Sequence, residues 1–107
     1  MLTDFVKVAT MREIKNNTMV RVEVGEEDIL LANVNGHFYA ITDVCSHATG
    51  SLSMGKLLPD TCEVQCPIHV GRFDLRSGTP TALPAIAPVE AFEVRIEGGD
   101  VLVGPKQ

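Results

Sequence analysis

"VRVEVGEEDILLANVNG" at residues 20–36 joins two different hydrophobic patterns. Its first five residues alternate, with Val20, Val22 and Val24 on one face and Arg21 and Glu23 on the other. That period of two marks a half-buried antiparallel strand. "DILLANV" (28–34) is a more continuous apolar run and reads as a central strand. Asn35-Gly36 then supplies the positive φ that both positions of a two-residue hairpin turn require. Outward from this stretch the pattern repeats. "FEVRIE" (92–97) places Phe92, Val94 and Ile96 inside, and Gly98-Gly99 turns it into "DVLVG", while "MLTDFVKVAT" at the N-terminus alternates like a strand. One helical element stands out: Thr10 and Glu13 form a capping-box pattern over "TMREIKNN", which predicts a turn or two ended by Asn16-Asn17. The expected fold is all-β, an antiparallel sandwich or barrel.

With 107 residues the chain is sized for a single domain (1–107) with one real hydrophobic core. It is too apolar for disorder, yet no window approaches the ~20 apolar residues of a membrane span. The N-terminus lacks the basic segment and apolar run of a secretory signal. Three cysteines make no even disulfide framework, so a reduced, cytoplasmic location is expected. Net charge is −5, with acidic groups at Glu26-Glu27-Asp28 and around Glu97 and Asp100. These fit a solvated surface, or steering toward a basic protein partner. The nine Lys and Arg residues form no stripe that would neutralise phosphates, which argues against nucleic acid.

Residues 43–91 break the strand pattern and are expected to form a loop-rich insertion within the domain, including the Pro-rich stretch "GTPTALPAIAPVEA". Two Cys/His pairs lie here: Cys45 and His47 in "DVCSHATG", and Cys66 and His69 in "VQCPIHVG". Cys62 shares a strand face with Val64 and reads as a buried structural thiol, and His37 beside the Asn35-Gly36 turn as a surface residue. The other four side chains could close a tetrahedral zinc site. Zinc sites, however, usually pair Cys with Cys and His with His at short spacing. Here each segment supplies one thiolate and one imidazole. In an extended Cys-x-His segment those side chains point the same way, roughly 6–7 Å apart by strand rise. That separation suits an elongated two-metal cluster, one iron taking two Cys and the other two His.

"CSH" at 45–47, 18 intervening residues and "CPIH" at 66–69 resemble the Cys-x-His…Cys-x-x-His motif of the Rieske family. The resemblance spans nearly the whole chain, with the Pro-rich segment at 80–88 as a third loop. It implies a Rieske-like antiparallel β-sandwich or barrel carrying an inserted cluster-binding subdomain (43–91). It also implies one [2Fe-2S] cluster held by Cys45, His47, Cys66 and His69. Two ferric ions, two sulfides and two thiolates sum to zero charge, so reduction is easier than in an all-Cys cluster.

Within the family, high-potential members carry a further Cys in each loop, which form a disulfide, and Ser and Tyr hydroxyls that donate to the cluster. By position these fall at Gly50, Ile68, Gly71 and Phe73 here, so neither bridge nor hydroxyls are present. A low potential near ~−150 mV is expected, with Gly71→Ser and Phe73→Tyr each raising it. The resemblance is then to soluble Rieske ferredoxins of bacterial aromatic-ring-hydroxylating dioxygenase systems. These are not enzymes in themselves. They pass single electrons from a flavin-containing NAD(P)H-dependent ferredoxin reductase to a terminal oxygenase. A monomer forming transient complexes is implied, with Ala48, Leu52, Met54, Val70, Pro84 and Ile86 as an apolar docking collar, although Leu52 and Ile86 read equally well as core. The competing readings are a small Rieske subunit of an assimilatory nitrite reductase and, from another class, a zinc-stabilised binding module. Strand-like sequence at both ends favours these over a segment of a large oxygenase.

Overall fold

The computed structural model describes residues 4–44, 50–68, 70–83, 85 and 87–107. Six strands form the larger sheet: β1 (Val6–Thr10), β2 (Thr18–Val24), β3 (Glu27–Val34), β4 (His37–Thr42), β9 (Ala91–Glu97) and β10 (Asp100–Lys106). Their order is β1-β10-β9-β4-β3-β2, antiparallel throughout, and the sheet curls until β1 approaches β2 as an almost closed barrel. Four short strands, β5 (Lys56–Leu58), β6 (Glu63–Gln65), β7 (Arg72–Asp74) and β8 (Pro80–Ala82), form a second antiparallel sheet between β4 and β9 in sequence.

β3 explains why the larger sheet has two covered faces. Side chains alternate across a strand, and both of its alternating sets are buried: Ile29, Leu30, Leu31 and Ala32 are all fully inaccessible. Ile29 and Leu31 point into the barrel with Ile14, Ala40, Phe92, Val101 and Val103. Leu30, Ala32 and Val34 face the small sheet with Ile41, Val64, Phe73 and Leu75. Burial on both sides requires the continuous apolar run of "DILLANV", whereas β2, beside it at the sheet edge, needs only alternation. Each fully buried aliphatic side chain contributes about 1.5–3 kcal/mol. A one-residue slip of β3 would exchange the two sets between the two cores, so the register is strongly fixed.

Turn chemistry is as the residues predict. Asn35 (φ 53°) and Gly36 (φ 90°) are both left-handed, as are Gly98 (φ 57°) and Gly99 (φ 88°). Three expectations are corrected. The helical element is a single 3-10 turn, Met11–Glu13. Glu13 carboxylate accepts from the Thr10 N–H at 2.7 Å, but Ile14 then turns extended and drives its side chain into the barrel core, ending the helix. Ile96 is 42% exposed instead of inside. β4 pairs only with Ala91 and Phe92, so at Ile96 β9 is flanked by β10 alone, through Val101, and the side toward β4 is left open. Finally, the insertion is a sheet as well as loops. Its three-residue strands are too short to display an alternating pattern.

Candidate metal centre

β4 ends at Thr42, and Asp43 begins the first Cys/His segment. The Asp43 side chain is 2% exposed, yet it is fully engaged. It accepts a short hydrogen bond from the Ser51 hydroxyl and one from the Ser53 N–H at 2.7 Å, and the Arg21 Nε lies 3.9 Å away. Its backbone takes part too, with the Asp43 N–H donating to the Asp28 carbonyl at 2.9 Å and the Leu52 N–H donating to the Asp43 carbonyl at 2.6 Å. A bridge between Val44 and Ser51 completes the clasp around residues 45–49. Leu52 then anchors the 3-10 turn Leu52–Met54 in the core, and Gly55 presses so closely on the Gln65 carbonyl that a Cβ there would collide with it.

The second segment leaves β6 at Gln65 and returns into β7 at Arg72. The Cys66 N–H donates to the Gly71 carbonyl at 2.9 Å, which closes the excursion and fixes the thiol-bearing backbone. Cys66 is buried at 3% exposure. Bare α-carbons allow the segments to approach. A Cβ on Gly50 would lie 2.6 Å from Ile68 Cδ1, 3.0 Å from Ile68 Cγ1 and 3.7 Å from Cys66 Sγ. A Cβ on Gly71 would lie 3.0 Å from both the Cβ and the N of Ala85, where the Pro-rich segment rests. Gly50 of the first segment thus lies beside the buried thiol, and Ala85 of the Pro-rich segment packs on the loop that bears it.

Of the four expected ligands, Cys66 is described; Cys45, His47 and His69 lie outside the described residues, as do Ala48, Pro84 and Ile86 of the expected collar. Among the described residues no three His, Cys, Asp or Glu side chains converge as a metal site. The surroundings of Cys66 fit an iron–sulfur group. A buried thiol on a hydrogen-bonded loop, with glycines where side chains would intrude, is a water-poor donor of the soft type iron–sulfur clusters use.

Cys62 is a buried core residue of the small sheet, held at φ 57°. Burial pushes its thiol up, as it does the neighbouring Tyr39 hydroxyl, with which it is hydrogen-bonded. His37 is an exposed residue at the start of β4. Leu52 is core, as its alternative reading had it, while Met54 and Val70 are exposed at 77% and 67%. Leu83 and Ile68 add apolar surface that sequence reasoning missed. Asp43 was missed as well; "DV…SLS", an acid followed by serines across a loop, was its only signal. Of the acidic groups, Glu26 to Asp28 lie at the ligand-segment end of the barrel, because Asp28 is bonded to Asp43. Glu97 and Asp100 lie at the opposite end, at the β9–β10 turn, where they pair with Arg95 and Lys7.

Residues 4–93 match the family model described as the Rieske [2Fe-2S] domain. The chain is 43% identical over 97 residues to the ferredoxin component of biphenyl 2,3-dioxygenase from Rhodococcus jostii RHA1, covering 91% of this chain and 89% of that one. Among solved structures it is similar to the ferredoxin of carbazole 1,9a-dioxygenase from Nocardioides aromaticivorans IC177, with TM-score 0.93 and 39% identity over 97% of this chain and 100% of that one. It also resembles a chain in the complex of reduced oxygenase and oxidized ferredoxin of carbazole 1,9a-dioxygenase (TM-score 0.89, 34% identity, 96% and 95% covered). A putative nitrite reductase small subunit, at 18% identity and TM-score 0.79, shares the fold alone. No helix among the described residues is long and apolar enough to cross a membrane.

Proposed function

The chain belongs to the Rieske [2Fe-2S] domain family, and on that premise we propose that it is the ferredoxin of an aromatic-ring-hydroxylating dioxygenase system. It carries one electron at a time from a flavin-containing NAD(P)H-dependent reductase to a terminal oxygenase and performs no substrate chemistry itself. The observation that carries this reading is the end-to-end match to free-standing ferredoxin components.

Cys45 and Cys66 are the proposed ligands of one iron, and His47 and His69 of the other. When bound, the cluster supplies a reversible one-electron couple, neutral when oxidised and singly negative when reduced. The chain's own residues set the conditions for that couple. Cys66 is kept from water and held in place by its N–H bond to the Gly71 carbonyl. Asp43 clasps the base of the segment bearing Cys45 and His47. Phe73 and Gly71 offer no hydroxyl to a neighbouring sulfur, so the extra negative charge of reduction gains little hydrogen bonding and the potential is low. Met54, Val70 and Leu83 are each exposed and are the proposed members of an apolar collar, suited to a short-lived interface below ~1,200 Å². Acidic residues at that end, Glu26 to Asp28, would steer a basic partner, more weakly as salt screens them. The unbridged thiol of Cys62 suits a reducing cytoplasm, and the carrier works as a monomer in transient complexes.

The test is spectroscopic. A purified red-brown protein with a rhombic paramagnetic signal after reduction and a midpoint near ~−150 mV is expected. A colourless zinc protein would overturn the reading, and a midpoint above about +100 mV would refute the hydroxyl argument. Reduction by a ferredoxin reductase should slow with added salt.

A further inference from the structure

We propose that Ile68 is a latch that locks the two ligand-bearing segments together and shields the Cys66 thiol from water. Ile68 is a large aliphatic side chain 56% exposed on a loop, where solvent alone would favour a polar residue. Its hidden part lies on the α-carbon of Gly50: a Cβ there would be 2.6 Å from its Cδ1, closer than two carbons can come. Gly50 is not held in a left-handed conformation, so no backbone requirement explains a glycine there. The requirement is space for Ile68. The same hypothetical Cβ lies 3.7 Å from Cys66 Sγ, so the contact is made directly over the thiol. Gly50 follows the first segment and Ile68 lies within the second, so this one contact ties the two. The mechanism is shape: a β-branched side chain with few rotamers rests on a residue with none.

The inference rests on the reading of Cys66 as a cluster ligand, and the experiment separates the two. Ile68→Ala, Gly50→Ala and the double variant are compared with the unsubstituted holoprotein in three measurements. These are the rate of loss of visible absorption in a chelator, the midpoint potential, and hydrogen exchange of the Cys66 N–H. Ile68→Ala removes three carbons that are about half buried, and cluster loss should quicken roughly tenfold. Gly50→Ala should do the same by pushing Ile68 aside. Water reaching the sulfur stabilises the added negative charge, so both potentials should move upward. The double variant should lie near wild type, because the methyl at position 50 fills space that Ile68 vacates, and Ile68→Val should retain most of the protection. Ile68 is a positioning residue, and a purely structural effect on folding would leave the potential unmoved. Single variants with wild-type potentials and loss rates, or a double variant whose effect is the product of the two, would overturn the latch. Exchange of the Cys66 N–H reports on the latch with or without a cluster: faster exchange in the single variants supports it, and unchanged exchange refutes it. A wild-type protein lacking the visible band would instead refute the cluster reading.

Discussion

Replacing Asp43 tests whether a buried carboxylate organises the entry to the metal centre. In Asp43→Ala the Ser53 N–H, which donates to Asp43 at 2.7 Å, loses its acceptor inside the protein, a cost of about 1–3 kcal/mol. The Ser51 hydroxyl loses a charge-assisted bond, although the Ser53 hydroxyl at 3.0 Å gives it an alternative partner. Together with the small cavity left behind, the loss should be about 3–4 kcal/mol. In Asp43→Asn the amide oxygen still accepts from Ser53, and the amide nitrogen can donate to the Ser51 oxygen while that hydroxyl turns toward Ser53. Only the charge assistance goes, at a cost of about 1 kcal/mol. Arg21→Ala removes a partner that is 48% exposed and 3.9 Å away, so it should cost less than ~1 kcal/mol. Urea unfolding followed by circular dichroism reads these differences. With a slope of about 1–1.5 kcal/mol per M, the alanine variant's midpoint should fall by about 2–4 M and the asparagine variant's by under ~1 M. An alanine variant within about 1 kcal/mol of wild type would refute the clasp, as would an asparagine variant equally damaged.

Further predictions concern the small sheet and its packing. Asp74 is pushed up by burial, but hydrogen bonds from the Arg76 guanidinium and backbone N–H outweigh this and hold its carboxyl below the ordinary value. Its contribution is therefore present above that ordinary value and lost as pH falls through the lowered one. Asp74→Asn should destabilise at pH 7, with the difference from wild type closing below about pH 4 in parallel unfolding curves. Burial keeps the Cys62 thiol protonated, so iodoacetamide at pH 8 should label it far more slowly in the native protein than in urea; equal rates would refute its burial. Gly71→Ser must displace Ala85, 3.0 Å from the new Cβ, so it should destabilise while raising the potential. Adding Ala85→Gly removes the Cβ contact but not the one to the backbone N, so it should recover part of the stability in thermal melts without returning the potential to its starting value.

Local chemistry made the barrel legible. Alternation in β2, the continuous run of β3 and the Asn35-Gly36 and Gly98-Gly99 turns are each decided within a few residues. The Cys/His pairs were legible for a similar reason, since spacing and donor type restrict which metal group can be held. What escaped depends on distant partners. The exposure of Ile96 follows from where β4 stops pairing, and the short 3-10 turn from the pull of the barrel on Ile14. Asp43 becomes meaningful only when Ser51 and Ser53 return to it across the loop. Ile68 and Gly50, 18 residues apart, announce no relation until the two segments are brought together.

The sharing of β3 and β4 between two cores has a consequence for how the carrier moves. Leu30, Ala32, Val34 and Ile41 pack on the small sheet while Ile29, Leu31 and Ala40 fill the barrel, so among the described residues no hinge separates the two sheets. On the proposed function, with one collar serving both reductase and oxygenase, a carrier without such a pivot cannot stay bound to both. The whole molecule must leave one partner, tumble and find the other. Electron flow through the system is then set by how quickly each complex dissociates and by how many copies of the carrier the cell maintains.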